Sequence, residues 1–328
     1  MTAERPGAAF VTGGSGFIGG RLITRLVGEA HSVRALARSD SSAAVVEALG
    51  AEAVRGDLGD AASMRAGAEG CATAYHLAAH LGQWGKRDEF IAGNVTGTEN
   101  ALAACREAGV RRFVHCGTEA ALLAGDPLVN VDETAPLRPD SKALYPATKA
   151  IAEQRVRDAS VEGFDAMVMR PRLVWGAGDT TLLPEIVAAA EAGKFAWIGG
   201  GDHLTATTHV DNVVEGLVLT AEKGRAGEVY FVTDGEPVEF REFVSELLET
   251  QGVEPPTRSV PAGVAAAVAA GSENVWKLLR LGGEPPLTRL ALWLSSQECT
   301  IDISKARTEL GYEPVRTRDE GMAELRGS

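Results

Sequence analysis

Two side chains near the middle of the chain have the types and the spacing needed to move a proton. Tyr145 and Lys149 stand four positions apart in the segment ALYPATKAI (143–151), in a chain of 328 residues that contains only four tyrosines. Residues i and i+4 of a helix lie on one face, so both side chains can point into the same cavity. A free phenol has a pKa of about 10, and a neighbouring ammonium lowers it by favouring the phenolate. We therefore predict that Tyr145 is an acid–base group for an alcohol or a carbonyl, with its pKa lowered by Lys149.

A reaction of this kind also needs a group that holds the reacting oxygen. The segment RRFVHCGT (111–118) is predicted to be a strand that ends at Thr118. In a parallel sheet, ligands bind beyond the carboxyl ends of the strands, and the Thr118 hydroxyl would lie at that edge. Thr118 is therefore our candidate for the oxygen-binding group.

The elements that would position these residues alternate between strand and helix, which predicts an α/β fold: a doubly wound parallel sheet (Rossmann) covered on both faces. After residue 176 the alternation of strands and helices becomes less regular. We predict a Rossmann domain over 1–176, to which 201–232 returns, and a smaller, mostly helical substrate-binding region over 177–328. The predicted strands are 8–13, 31–38, 51–58, 73–79, 111–118 and the start of 164–176; the predicted helices are 17–30, 95–109, 141–160, 182–194, 238–252 and the end of 201–222.

The first strand runs into a glycine-rich turn, VTGGSGFIGG (11–20), which opens the first helix. Gly13, Gly16 and Gly19 give the pattern G-x-x-G-x-x-G, and Gly14, Gly16 and Gly19 give G-x-G-x-x-G. Glycine permits a tight turn and close approach to a pyrophosphate, while the helix N-terminus offers free N–H groups. In this strand–turn–helix context the pattern predicts a dinucleotide site rather than a merely structural turn.

The end of the second strand bears on which dinucleotide is bound. NAD sites commonly have an acidic residue about 20 positions after the glycines, but here the strand ends LARSD, with Ala37 and Arg38 at that place and Arg34 close by. Because an arginine can pair with a 2′-phosphate, we prefer NADP(H). The alternative is NAD(H), with Asp40 binding the ribose and Arg38 a solvated surface charge. Asp57 is placed to accept a hydrogen bond from the adenine amino group.

Composition and charge argue against several classes of function. A net charge of −13 disfavours nucleic acid and an anionic membrane surface as partners. The six histidines form no ligand-spaced cluster, so no metal site is predicted. The most apolar segment, 260–270, is too short to span a bilayer. The cysteines show no C-x-x-C spacing, which predicts free thiols in a reducing compartment, and we expect a cytoplasmic protein: Cys71, Cys105, Cys116 and Cys299.

A series of motifs runs through nearly the whole chain: TGGSGFIG (12–19), GDL (56–58), YHLAA (75–79), NVTGTEN (94–100), YPATK (145–149), RPRLVWGAGD (170–179), HVDNV (209–213) and ISKARTELGY (303–312). In these motifs and their order the chain resembles the extended short-chain dehydrogenase/reductase family. The resemblance implies Thr118, Tyr145 and Lys149 as the catalytic set, with Lys149 also binding the nicotinamide ribose, and a mainly structural Asn94. The predicted cofactor-binding residues are Gly13, Gly16, Phe17, Ile18, Gly19, Arg38, Asp57, Leu58, Ala78, Ala79, Tyr145, Lys149 and Pro171.

Three branches of that family compete. Dehydratases usually carry Thr-Asp-Glu after the fifth strand, whereas this chain has Thr118, Glu119 and Ala120. Sugar-nucleotide epimerases usually have an asparagine in the loop after the sixth strand, and RPRLVWG (170–176) has none. The chain most resembles the third branch, which contains 3β-hydroxysteroid dehydrogenases and bacterial 2-alkyl-3-oxoalkanoate reductases.

This branch implies NADP(H)-dependent interconversion of a secondary alcohol and a ketone on a hydrophobic 3-hydroxy or 3-oxo substrate. A sugar-nucleotide 4-epimerase and a non-catalytic NADP(H) sensor are the alternatives. A homodimer through the helices 95–109 and 141–160 is the family expectation, and His209 is expected to be structural. His80, Gln83 and Trp84 are candidates for substrate contact. The apolar residues of the C-terminal half either line a lipophilic pocket or pack the core, and for most of them we favour the core: Trp276, Leu278, Leu279, Leu290, Leu292, Trp293 and Leu294.

Overall fold

A seven-stranded parallel sheet lies at the centre of the computed structural model, which describes residues 7–327. The strands in chain order are β1 (Ala8–Thr12), β2 (Val33–Ala37), β3 (Glu52–Arg55), β4 (Cys71–His76), β5 (Arg112–Cys116), β6 (Leu128–Val131), β7 (Asp165–Arg170), β8 (Val174–Trp175), β9 (Trp197–Ile198), β10 (Leu204–Thr205), β11 (Thr208–His209), β12 (Val229–Phe231), β13 (Val238–Glu239), β14 (Ser259–Val260) and β15 (Cys299–Ile301). The sheet has the order β12-β7-β5-β4-β1-β2-β3. Its central strands are short apolar runs because both of their faces are covered.

Helices cover both faces of this sheet, as the alternation of strands and helices predicts. They are α1 (Phe17–Gly28), α2 (Asp40–Ala48), α3 (Ala61–Ala68), α4 (Arg87–Phe90), α5 (Gly97–Glu107), α6 (Leu144–Asp158), α7 (Leu182–Glu191), α8 (Val210–Lys223), α9 (Phe240–Thr250), α10 (Ala262–Leu279), α11 (Arg289–Ser296) and α12 (Arg318–Arg326). Side chains of α1, α2 and α8 pack into one core, and those of α3, α5 and α6 pack into the other. The predicted doubly wound parallel sheet is confirmed.

Two features of the structure concern the predicted boundaries of segments. β12, near the end of the segment 201–232, pairs in parallel with β7. The helix predicted over 95–109 begins earlier, because a π-helical turn, Ile91–Thr96, leads directly into α5. Such turns are frequent at functional sites. The division at residue 176 stays a prediction.

The C-terminal part has its own aromatic core, built around Trp175, Trp197 and Phe243. Helices α7, α9 and α12 pack there, and a four-stranded sheet of β13, β10, β15 and β6 lies beside them. Leu290, Leu292 and Trp293 are buried core residues, as favoured for most of the apolar set.

Leu278 and Leu279 are exceptions, because they are exposed and belong to none of the buried clusters described above. Their exposed fractions are 82% and 61%, since they lie on the outer side of α10 near its end.

The four cysteines are buried and form no disulfide. Within residues 7–327 we find no helix with both the length and the apolar content that a bilayer crossing requires.

Candidate active site

The glycine turn between β1 and α1 is shaped by direct backbone contact. Gly13 has φ of +75°, and a Cβ there would lie 2.7 Å from the backbone nitrogen of Ala78. A Cβ on Gly19 would lie 2.1 Å from the carbonyl oxygen of Gly13. α1 begins with Gly16 as its N-cap and has no side-chain cap, so its first N–H groups are free for an anion. This turn fits the pyrophosphate of a dinucleotide.

The turn lies at the carboxyl end of β1, where the strand order of the sheet reverses between β1 and β4. β1 and β4 are neighbours, and Thr12 pairs with His76 at their carboxyl ends. The Thr12 hydroxyl lies 2.7 Å from Nδ1 of His76 and accepts the backbone N–H of Ala78 at 3.3 Å. Ala78 and Ala79 therefore lie against the glycine turn, in the crevice where doubly wound folds bind nucleotides. Phe17 and Ile18, half-buried, form the first turn of the helix above it.

Arg38 is exposed just after β2, and within residues 7–327 its guanidinium has no hydrogen-bond or ion-pair partner. Arg34, in contrast, donates to Glu52 at 3.3 Å and to the carbonyl of Glu69 at 2.6 Å. Arg34 is thus engaged with β3 and with the turn at Glu69. The carboxylate of Asp40 pairs with Arg55.

The predicted adenine contacts lie on the loop after β3. Asp57 is exposed, and its Oδ1 accepts the backbone N–H of Gly59 at 2.7 Å, which leaves the second oxygen for a ligand. Leu58 packs against Gly97, where a Cβ would come within 2.8 Å of the leucine side chain. The placement suits a loop that closes over an adenine ring, and these assignments remain predictions.

Lys149 is the best-anchored member of the predicted catalytic set. It lies on α6 with an exposed fraction of 3%, and its Nζ donates to the carbonyl of Cys116 at 2.9 Å. The same nitrogen lies 3.3 Å from Nε2 of His115. Burial lowers the pKa of Lys149, while Glu153 and Cys116 act to raise it. The ammonium is thus tied to the carboxyl end of β5.

Tyr145 lies one helical turn before Lys149 on α6, and its pKa is shifted upwards, not downwards. Burial is the largest cause of this rise, and Glu119 and Cys116 add to it, while a hydrogen bond with Thr118 acts in the opposite direction. A lowering of this pKa by Lys149 together with an oxidised nicotinamide stays a prediction. The Lys149 ammonium donates to the carbonyl of Cys116 at the end of β5, and after burial the charge of Glu119 is the largest cause of the raised pKa of the phenol.

Thr118 lies where the strand prediction places it, directly after β5. It caps a short 3-10 helix, Glu119–Leu122, and its oxygen accepts the backbone N–H of Ala120 at 3.1 Å. Its hydroxyl donates to the carboxylate of Glu119 at 2.8 Å. Pro171 lies beside it, with its carbonyl accepting the N–H of Glu119 at 3.3 Å. Thr118, Tyr145 and Lys149 are thus gathered at one end of the sheet.

A buried ion pair at this site was not among the sequence predictions. The Glu119 carboxylate lies 2.5 Å from Nη1 of Arg172, and both side chains are almost fully buried. Arg172 also donates to the Thr205 hydroxyl, from Nε at 3.3 Å and from Nη2 at 3.2 Å. Two features of the sequence could have indicated this ion pair. Glu119 directly follows Thr118, and Arg172 is the second arginine of RPR (170–172).

Asn94 is structural, as expected, because it links a loop to a helix. Its Oδ1 accepts the N–H of His80 at 2.7 Å, and its Nδ2 donates to the carbonyl of His80 at 3.2 Å and to Thr148 at 3.1 Å. His209 is buried, and its Nδ1 accepts the N–H of Asp211 at the start of α8.

Of the candidates for substrate contact, Gln83 and Trp84 face the C-terminal helices. The Thr288 hydroxyl donates to Oε1 of Gln83 at 2.8 Å, and Lys277 lies 5.3 Å from the ring of Trp84. The ring of His80 packs edge-on against Phe90. This loop therefore joins the nucleotide-binding sheet to α10 and α11.

Comparison with known proteins gives one consistent result. The profile of the 3-beta hydroxysteroid dehydrogenase/isomerase family matches residues 10–262. The chain is 46% identical over 317 residues to a 4-hydroxy-2-methyl-3-oxo-4-farnesyl-3,4-dihydroquinoline-1-oxide ketoreductase of Stigmatella aurantiaca, covering 97% of this chain and 95% of the relative. It is 37% identical to a 2-alkyl-3-oxoalkanoate reductase of Stenotrophomonas maltophilia, covering 97% and 98% of the two chains.

Solved structures agree with this result. The crystal structure of gox2253 has a TM-score of 0.79 and 29% identity, covering 98% of both chains. DesIV, a dTDP-glucose 4,6-dehydratase of Streptomyces venezuelae solved with NAD, has a TM-score of 0.72 at 24% identity over 97% of this chain and 95% of that one, and shares the fold. The chain is thus an NAD(P)-dependent oxidoreductase, and it belongs to the 3-beta hydroxysteroid dehydrogenase/isomerase family.

Proposed function

We propose that this protein is an NADP(H)-dependent ketoreductase that interconverts a hydrophobic 3-oxo compound and its 3-hydroxy form. The observation that carries the proposal is the position of Tyr145, Lys149 and Thr118 at the carboxyl end of the sheet that carries the glycine turn. A hydroxyl, an ammonium and a phenol at that place are suited to binding and protonating a carbonyl oxygen. The relatives named above are ketone reductases, which supports the same reaction class.

The chain's own residues would act on the carbonyl oxygen and on the cofactor's ribose. The glycine turn would hold the pyrophosphate of NADPH, which would supply the hydride when bound. Tyr145 donates its phenolic proton to the substrate oxygen. Lys149, held by the carbonyl of Cys116, is placed to bind a ribose hydroxyl. Thr118 lies beside the phenol and orients the oxygen.

The substrate class can be tested by following the absorbance of NADPH with three groups of ketones: 2-alkyl-3-oxo acids, 3-oxosteroids and prenylated quinoline ketones. We expect turnover with at least one of these groups and none with UDP-sugars. Copurified NAD together with turnover of a UDP-sugar would favour a 4-epimerase instead. Tight NADPH binding without turnover of any carbonyl or alcohol would favour a sensor.

We expect Arg38→Asp to shift cofactor preference from NADPH towards NADH. Arg38 is exposed, has no partner within residues 7–327, and lies directly after β2, so it is free to pair with a 2′-phosphate. Removing that cation and adding an anion should lower the NADPH/NADH ratio of kcat/KM by about 10- to 100-fold, as for loss of a charge-assisted contact. Arg65→Asp, an exposed arginine on α3, is the control. An unchanged ratio in Arg38→Asp contradicts the NADP(H) assignment.

We propose further that the enzyme is a homodimer through α5 and α6. Glu99 on α5 and Arg155 on α6 pair at 2.9 Å, and a shallow cleft between the two helices exposes small side chains, among them Ala103. The α5–α6 surfaces of two protomers can pack closely, because small side chains let the helices of one protomer approach those of its partner. Ala103→Arg should convert the dimer into monomers of 34.3 kDa in light scattering, whereas Ala62→Arg on α3 should not. A wild-type monomer contradicts the proposal.

We propose that the protein is located in the cytoplasm. The support is chemical: its four cysteines are buried thiols without disulfides, which suits a reducing compartment.

A further inference from the structure

We propose that His115 is a positioning residue for Lys149: its neutral imidazole accepts one proton of the buried ammonium and so fixes where the remaining proton is offered. This inference rests on the proposed function, in which Lys149 binds the nicotinamide ribose, and it adds a residue to that part of the site. His115 lies on β5 and was not among the predicted site residues.

The position of His115 follows from the alternation of side chains along β5. Successive residues of a strand point to opposite faces of the sheet, so His115 shares a face with Phe113. Phe113 packs in the core formed with α3, α5 and α6, and α6 is the helix that carries Lys149. His115 is therefore directed towards the helix of Lys149, and its exposed fraction is 1%.

Two groups of β5 hold the ammonium of Lys149. Nζ donates to the carbonyl of Cys116 at 2.9 Å, and it lies 3.3 Å from Nε2 of His115. An ammonium has three protons and no lone pair, so Nε2 of His115 is the acceptor in this contact. One proton of Lys149 is thus left for a ligand. Because Nε2 accepts, the neutral ring of His115 carries its proton on Nδ1.

The second ring nitrogen of His115 makes no competing contact. Within residues 7–327, Nδ1 is buried and has no hydrogen-bond partner. A buried polar atom without a partner lowers stability, and a phenylalanine at this position would avoid that cost. The contact between Nε2 and Lys149 is therefore the polar interaction that distinguishes histidine from an apolar residue here.

A second histidine supports the ring of His115. The rings of His76 and His115 are stacked, with centroids 5.3 Å apart and planes inclined at 27°. Nε2 of His76 lies 3.0 Å from the Thr98 hydroxyl, whose own proton goes to the carbonyl of Asn94. Nδ1 of His76 lies 2.7 Å from the Thr12 hydroxyl. His76 therefore donates from Nε2 and accepts at Nδ1, so its ring is fixed at both nitrogens and holds the plane of His115.

The acceptor matters because the ammonium lies in a site with little water. Burial lowers the pKa of Lys149, and each acceptor that bonds the ammonium opposes that shift. The Glu153 carboxylate, one helical turn further along α6, is paired with Arg170, whose Nε lies 2.8 Å away.

The other groups around Lys149 keep one charge state at neutral and mildly alkaline pH. Burial raises the pKa of the Cys116 thiol to about 11, and burial together with the ammonium lowers the pKa of both imidazoles. Lys149 is therefore the group whose charge His115 controls. Besides His115, the charged and titratable groups around Lys149 and the neighbouring phenol are His76, Cys116, Glu119, Tyr145, Glu153 and Arg170.

The test replaces His115 by phenylalanine, which keeps a planar ring against His76 but removes the acceptor. The dissociation constant of NADPH should rise about tenfold at pH 7, as for loss of one charge-assisted hydrogen bond. The pKa of Lys149 should also fall further. Because NADPH binding needs the ammonium, affinity is kept below this pKa and lost above it, so the alkaline limb of the binding profile should move about one unit to lower pH. His115→Gln, whose amide oxygen can take the place of Nε2, should keep the wild-type limb.

Fluorescence titration with NADPH at increasing pH measures this limb, and NADH is titrated in parallel because both cofactors carry the nicotinamide ribose. Lys149→Met should lose the limb and Tyr145→Phe should keep it, which assigns the limb to Lys149. A limb that survives in Lys149→Met belongs to another group and overturns the proposal.

His203→Phe is the matched control. The ring of His203 also stacks on another ring, that of Phe240 at 5.0 Å, and its Nε2 also has no hydrogen-bond partner within the described residues. This variant should leave the alkaline limb unmoved. If His115→Phe leaves the limb unmoved as well, His115 is only structural and the proposal fails.

A second measurement needs no ligand and separates this proposal from the ketoreductase assignment. The nitrogen-15 spectrum of histidine-labelled protein reports the tautomer of each ring, and the signal missing in His115→Gln or His115→Phe belongs to His115. That ring should be neutral at pH 7, with its proton on Nδ1. A proton on Nε2 overturns the proposal, because Nε2 could then not accept from Lys149. Absence of turnover with every ketone, combined with the expected tautomer and limb, would reject the ketoreductase function and leave the role of His115 towards Lys149 standing.

Discussion

Replacing Tyr145 by phenylalanine is expected to lower kcat by about 10²- to 10⁴-fold, the range attributed to a lost general acid. The substitution removes one oxygen and keeps the ring, so the packing of α6 against the sheet should be preserved. NADPH affinity should change little, because Lys149 and the glycine turn are untouched. Initial rates of NADPH oxidation, together with a fluorescence titration of NADPH, measure the two effects separately.

Tyr75→Phe is the matched control for this substitution. Tyr75 is buried on β4, and its hydroxyl has no hydrogen-bond partner within residues 7–327. Its loss should leave kcat near the wild-type value. A decrease of less than tenfold in Tyr145→Phe, or an equal decrease in both variants, would show that another group delivers the proton.

Gly19→Ala is expected to abolish NADPH binding at concentrations that saturate the wild type. A Cβ at this position would lie 2.1 Å from the carbonyl oxygen of Gly13 and 2.8 Å from its carbonyl carbon, and both atoms are backbone. The turn can accommodate the methyl group only by moving away from the place where a pyrophosphate binds. Overpacking of this kind costs about 1–3 kcal/mol of stability, so the midpoint of thermal unfolding should also fall.

The neighbouring glycine supplies the control. A Cβ on Gly20 would meet only the side chain of Leu49, at 3.5 Å, and the carbonyl oxygen of Gly14, at 3.9 Å. Gly20→Ala should therefore bind NADPH normally and unfold at or above the wild-type temperature, since alanine favours a helix interior. Normal NADPH affinity in Gly19→Ala would mean that this turn does not hold the pyrophosphate.

Much of the candidate site follows from local sequence. The glycine turn lies between a strand and a helix, and Tyr145 and Lys149 lie on one helix. Their placement can therefore be predicted from the repeat periods of strands and helices along the sequence. Several helices were not among the predicted segments; two of them, Asp40–Ala48 and Ala61–Ala68, are short and weakly apolar. The exposure of Leu278 and Leu279 was also not foreseen, because it depends on where α10 lies relative to its neighbours.

The amino-acid order by itself determined the doubly wound sheet, the nucleotide turn and the identities of the groups at its carboxyl edge, because each is encoded by a short pattern. The fold alone decided how those groups affect one another. Arg172 pairs with Glu119 across 53 positions of sequence. Lys149 donates a hydrogen bond to the carbonyl of Cys116 at the end of β5, and Arg34 donates to the backbone carbonyl of Glu69. The electrostatics of Tyr145 depend on such distances and on burial, and neither is written in the spacing of residues along the chain.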